Sequence, residues 1–214
     1  MRETLLFVYA LATSLLLSSL VLAQSSAKTG SSQMRRVKRQ VLTSTYLPSI
    51  RIRFAKRFKY VGSQKFILYD RAQVEQYFFV DADSRQRIKR MYMVQFEGYL
   101  PNINATYDYP ATKTVNLEEQ TYIVDAESIP NVPAALKQNP QSDVTRAASF
   151  LESKGYRISE SIMFQRFVRL VDDAKRNEFI LLYVEDAGAS ASSEKEKARQ
   201  EFPSRALKGF TIVK

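Results

Sequence analysis

The segment Arg90 to Pro101, RMYMVQFEGYLP, carries an amide and a carboxylate inside an otherwise apolar run. Successive side chains alternate across an extended chain, so Tyr92, Val94 and Phe96 share one face. Met91, Met93, Gln95, Glu97 and Tyr99 share the other. The first face is an ordinary core stripe. The second mixes soft apolar groups with polar ones that a core rejects unless a partner satisfies them. Met93, Gln95, Glu97 and Tyr99 are therefore the expected ligand-binding residues of a cavity for a small apolar or lipid-like molecule. The competing expectation is a strand covered on both faces by core.

Glu97 is also the first candidate for acid–base chemistry, because it lies among aromatic groups within a strand pattern. Asp172, Asp173, Glu185 and Asp186 fall in turns or at a strand end, where charge is cheap. Two carboxylates can hydrolyse a glycoside without histidine, but one is not a mechanism. Asp81-Ala82-Asp83 begins like a calcium loop. Its continuation fails, since Gln86 and Tyr92 stand where such a loop needs Gly and Glu, so a solvated turn and no metal site are expected. There is no Gly-rich phosphate loop and no Gly-x-Ser-x-Gly elbow. The chain has no Cys and no His, which removes the commonest general base, the thiol nucleophiles and the commonest transition-metal ligand. No cofactor is implied.

A different chemistry is suggested by Arg51, Arg53, Lys56, Arg57 and Lys59, which surround Phe58 and Tyr60. Basic groups interleaved with aromatics suit an anionic lipid or polysaccharide surface, or nucleic acid. The plain alternative is an edge strand that uses charge against aggregation. The formal charge of +10 is concentrated here: residues 24–71 hold twelve Lys or Arg against a single acid, Asp70, while the remainder is balanced. Such asymmetry points to an anionic partner.

The first residues, MRETLLFVYALATSLLLSSLVLAQ, read as a signal peptide over 1–23, with cleavage between Ala23 and Gln24. An uncleaved membrane tether is the alternative, because the apolar run approaches the roughly 20 residues that span a bilayer. No second run of that kind occurs, so no transmembrane segment is expected in the mature chain. A secreted or periplasmic location is the consequence, and export argues against nucleic acid. Residues 24–40 are small, polar and basic, which predicts a flexible tail. Its end, Arg36-Val37-Lys38-Arg39, resembles the dibasic processing sites of eukaryotic secretion. Asn104-Ala105-Thr106 would be a glycosylation acceptor in the same route.

Residues 41–214 read as one α+β domain. Strict alternation over Ile50–Phe54 continues through Phe58 and Tyr60; Gly62-Ser63 reads as a turn before further strands at 65–70 and 74–81. Residues 120–126 add a strand, and Pro130 and Pro133 interrupt the chain after it. Ser142-Asp143 opens a helix with Val144, Ala147, Ala148 and Leu151 on one face and Gly155 as its stop. The segments 161–171 and 178–185 form a hairpin whose second arm is apolar on both faces and so central in its sheet. A late helix starts near Ser193, and Pro203 kinks or divides it. The expected architecture is a curved, mostly antiparallel meander with one or two late helices on one face, or else a barrel-like domain. With 45% apolar residues it has the material for a core without disulfides. The functional expectation is an exported, non-enzymatic binding protein. A carboxylate hydrolase, or a structural or adhesive envelope protein, is the alternative.

Overall fold

The computed structural model describes residues 34–110, 113–188 and 192–213. The expected signal peptide, and the tail as far as residue 33, lie outside the described residues. The rest of the segment expected as a flexible tail is structured. Strand β1 (Arg35–Lys38) turns through Arg39 and Gln40 into β2 (Val41–Thr45), with Val37 opposite Leu42 and Arg39 at a φ of 57°. What holds β1 is its inward side: Val37 packs on the core and the Arg35 guanidinium reaches the Glu75 carboxylate at 3.2 Å.

The chain continues through β3 (Ser49–Phe54), β4 (Lys59–Leu68), β5 (Ala72–Ala82) and β6 (Ile88–Tyr99). Next come β7 (Thr114–Leu117), β8 (Gln120–Ile129), α1 (Val132–Gln138) and α2 (Asp143–Ser153). The last elements are β9 (Ile162–Leu170), β10 (Asn177–Asp186), α3 (Ser192–Lys208) and β11 (Phe210–Ile212). The strands form two antiparallel sheets in the orders β1-β2-β3-β11 and β4-β5-β6-β10-β9-β8-β7, so the fold is α+β and the sheets do not close into a barrel. β10 is the middle strand of seven, as its two apolar faces require.

Alternation along β6 divides the core. Tyr92, Val94 and Phe96 join Phe79, Phe179 and Leu181 beneath Leu42, Ile52 and Phe54 of the small sheet, with Phe202 and Ala206 of α3. On the opposite face Met91 and Met93 join Phe78 and Val184 beneath Val132 of α1 and Leu151 of α2. The helices thus cover both faces of the large sheet, where periodicity alone suggested one.

The local signals explain most elements. Ser142 caps α2 by accepting from the Thr145 amide at 3.1 Å, and Gly155 lies just past its end at a φ of +83°. α1 is an addition to the sequence reading: Pro133 sits in its first turn, where a missing N–H costs nothing, and the Asn131 side chain caps it at 3.0 Å. Pro203 lies inside one continuous α3. Gly62, read as a turn, lies within β4 at a φ of +134°, next to a bulge at Val61; the turn comes earlier, where the Phe58 amide donates to the Ala55 carbonyl at 2.9 Å. After α3 the backbone passes so close to Tyr92 at Gly209 that a Cβ there would strike its hydroxyl, which donates to the Ala206 carbonyl at 2.7 Å.

Candidate functional site

The second face of β6 meets a cavity. Alternate residues of three adjacent strands, Met91 and Met93 of β6, Ile180, Leu182 and Val184 of β10, and Ile162 and Phe164 of β9, form its floor. Val132 and Leu136 of α1 and Ala147, Ala148 and Leu151 of α2 form its roof, enclosing about 310 Å³. This falls at the lower end of the roughly 300–1,000 Å³ usual for small-molecule sites. Small alanines at two successive roof positions leave the space that larger side chains would fill. Its charged lining residues are Asp125 and Glu127 of β8, Asp143 of α2 and Arg166 of β9. Arg166 stands opposite Asp125 across β9 and β8, and its fork holds that carboxylate with Nη2 to Oδ2 at 2.6 Å and Nε at 3.2 Å.

Beyond Met93 the same strand row turns polar. Gln64, Gln76 and Gln95 lie side by side on β4, β5 and β6 and form a ladder: Gln64 Nε2 donates to Gln76 Oε1 at 2.7 Å, and Gln76 Nε2 to Gln95 Oε1 at 2.6 Å. Gln95 Nε2 then donates to Glu97 at 2.7 Å and to Asp143 Oδ2 at 3.0 Å. The direction of the ladder is dictated by its end, because an ionised carboxylate only accepts. Gln95 must therefore point its amide NH₂ at Glu97 and Asp143, and each preceding amide falls into line. This is how Gln76 and Gln95 are fully buried without an orphaned group, and it ties α2 to the sheet through Asp143.

Glu97 meets a second carboxyl, Glu178 of β10, directly opposite. Burial pushes Glu97 up; the Tyr107 hydroxyl at 2.9 Å works against this and the nearby Asp143 charge adds to it. Burial also pushes Glu178 up, to about 7, against the Tyr109 hydroxyl at 2.5 Å and with repulsion from Glu97. The same two contacts, after burial itself, raise both tyrosine hydroxyls well above their ordinary value.

The expected ligand residues are thus divided. Met93 lines the cavity; Gln95 is consumed by the ladder; Glu97 and Tyr99 border a separate depression of about 310 Å³ beside Arg35 and Glu75. Burial pushes Glu75 up, but Lys65 at 2.7 Å, Arg35 and the Tyr77 hydroxyl overcome it and hold the carboxyl below its usual range. Of the other carboxylates considered for catalysis, Asp173 is exposed and three serve locally. Asp172 accepts from the Arg176 amide and the Asn177 side chain, Glu185 takes Arg205 and Tyr183, and Asp186 closes a turn on Gly188. Asp83 is occupied as a turn former, accepting from the amides of Arg85 and Arg87. Among the described residues no group of three or more Asp or Glu side chains is placed to hold a metal ion.

Of the basic stretch, Arg51, Arg53, Lys56, Arg57, Lys59 and Tyr60 are exposed. Phe58 is a correction: it is fully buried, edge-on to Tyr92 at 4.8 Å, and belongs to the core. β3 is also no edge strand, since β2 and β11 pair with its two sides. Glu178, Asp143 and Arg166 were missed by sequence reasoning. Glu178 had one legible signal, its place in the same alternate row as Ile180, Leu182 and Val184; its meeting with Glu97 depends on a pairing between strands about 80 residues apart.

No protein-family model, curated protein or solved structure is significantly similar to this chain.

Proposed function

We propose that this is an exported, non-enzymatic binding protein that takes a small, largely apolar ligand with a polar head into the cavity between the seven-stranded sheet and α1 and α2. One observation carries the reading: a largely apolar space of about 310 Å³ whose charged lining is limited to Asp125, Glu127, Asp143 and Arg166. A ligand that covers this apolar lining gains roughly 25 cal/mol for each Å² of apolar surface taken from water. Such a shape favours a ligand whose apolar part lies over Met93, Phe164 and Leu182 and whose head reaches Asp143 and the Arg166–Asp125 pair. Export rests on the leading apolar segment, and the expected mature terminus is Gln24. Among the described residues no helix is long and apolar enough to cross a membrane.

The test uses 1-anilinonaphthalene-8-sulfonate as an apolar probe, with native mass spectrometry of the purified protein for any retained molecule. Saturable probe fluorescence, displaced by single-chain apolar competitors and lost in Ala148→Leu, supports the reading. Probe binding that does not saturate, or that Ala148→Leu leaves intact, overturns it.

A carboxylate hydrolase is the second reading, and the Glu97–Glu178 pair favours it, because a carboxyl near 7 can serve as a general acid at neutral pH. Against it, Glu178 is 3% exposed and neither glutamate lines the cavity. Turnover of chromogenic glycosides that disappears in Glu178→Gln would make it the better one.

A further inference from the structure

We propose that the outer face of the four-stranded sheet is a docking platform for an anionic polysaccharide, with Arg36, Lys38, Arg51 and Arg53 at its corners. Strand register builds it. Arg36 stands opposite Thr43, which stands opposite Arg51; Lys38 stands opposite Val41, which stands opposite Arg53, and Arg53 opposite Thr211. The alternate residues Val37, Leu42, Ile50 and Ile52 turn inward to the core and leave the four cations exposed on the other side. A rise of about 3.3 Å per residue and a strand spacing of about 4.8 Å set them on a quadrangle of roughly 7 by 10 Å.

Among the described residues nothing neutralises this group. Residues 34–69 contain no Asp or Glu, and none of the four cations lies within ion-pair distance of a described carboxylate. Like charges this close repel one another unless an anion is shared between them. Edge protection could account only for Arg36 and Lys38 of the edge strand β1, because Arg51 and Arg53 belong to an interior strand. Two of the corners come from β1, the segment whose composition alone suggested a loose tail.

The remaining groups on the face select the partner. Thr43, Thr45, Ser49 and Thr211 supply hydroxyls between and beside the cations, which suits a polymer rich in hydroxyls and anionic groups. The apolar side chain between Lys38 and Arg53 is the half-buried Val41, and among the described residues no aromatic ring stands between the four cations to stack on a base. The cavity lies on the far face of the seven-stranded sheet, so the platform is independent of its ligand.

The test measures binding of the purified protein to heparin and to polygalacturonate, as sulfated and carboxylated probes, beside phosphatidylglycerol vesicles and double-stranded DNA. Both polysaccharides should be held at low salt and released as salt rises. Changing Arg36, Lys38, Arg51 and Arg53 together to Gln should weaken binding by at least about tenfold, as the charges act jointly at separations near the Debye length. Changing the exposed Lys89, Lys113, Lys137 and Lys175 to Gln removes the same charge elsewhere and should leave binding within about twofold. Thermal melting checks that both variants fold. Should the fourfold variant fail to fold, Arg36→Gln/Lys38→Gln and Arg51→Gln/Arg53→Gln must each show part of the loss. Equal weakening by the control set, or retention of vesicles or DNA to higher salt than either polysaccharide, overturns the proposal.

Discussion

Glu97 and Glu178 face each other across β6 and β10, and each accepts a hydrogen bond from a tyrosine of a single loop, Tyr107 for the first and Tyr109 for the second. The tyrosines stand two positions apart, so an extended loop presents both on one side. The loop is itself fixed by Arg176, whose guanidinium donates to the carbonyls of Leu100, Ile103 and Ala105 at 2.9, 2.7 and 3.2 Å. Side chains directly opposite on antiparallel strands lie about 5 Å apart at Cβ, so two ionised carboxylates here are mutually destabilising.

Stability should therefore fall as pH rises. Glu178 moves from an ordinary value of 4.5 to about 7 in the folded protein, so the native state holds a proton that the unfolded chain has lost between these limits. Its contribution is complete below about 4.5 and is lost as pH passes about 7, at most about 3 kcal/mol. Glu97 shifts in the same direction. Glu75 is lowered, and its contribution is lost only as pH falls below the ordinary carboxylate range, so it does not interfere. Urea denaturation at pH 5 and pH 8 should show the difference, and Glu178→Gln should reduce it. A flat profile for the original protein would contradict the pairing.

The two faces of β6 should respond differently to truncation. Phe96 is 3% exposed, edge-on to Phe179 at 5.4 Å and beneath the Arg35 guanidinium at 3.9 Å. Phe96→Ala should cost roughly 3–5 kcal/mol. On the other face Gln76→Ala strands the Gln64 amide and the Gln95 carbonyl oxygen, at a cost of about 1–3 kcal/mol. Glu97→Gln keeps the shape and relieves the repulsion, so it should retain the fold and gain stability at pH 8. Chemical denaturation of the three variants checks the order; a nearly neutral Phe96→Ala would contradict it.

Arg39, the last residue of the basic run that resembles a processing site, occupies the turn between β1 and β2. A protease needs several residues of extended, unpaired chain, so trypsin should cut after Arg39 slowly. Arg35→Ala removes the 3.2 Å contact that docks β1 on Glu75 and should speed cleavage severalfold, with mass spectrometry placing the cut. Equally rapid cleavage of both proteins would show that β1 does not protect the site.

Much of the architecture was legible because it depends on short-range pattern. Alternation set the two faces of β6, Ser142 and Gly155 bounded α2, and the doubly apolar run of β10 marked the centre of the large sheet. The placement of Met93 against a covering layer came from the same rule. Partnership over distance was not legible. Phe58 was grouped with the anionic-surface residues because its neighbours are charged, yet the turn at Ala55 drives its ring into Tyr92. Glu97 was a lone carboxylate until β10 brought Glu178 beside it, and Arg36 and Lys38 looked like a solvated tail until the β1–β2 hairpin set them in register with Arg51 and Arg53. The reason is physical: side-chain alternation is a property of each residue's own backbone, whereas strand pairing is chosen by the burial of the whole sheet, and only that choice decides which charges and amides become neighbours.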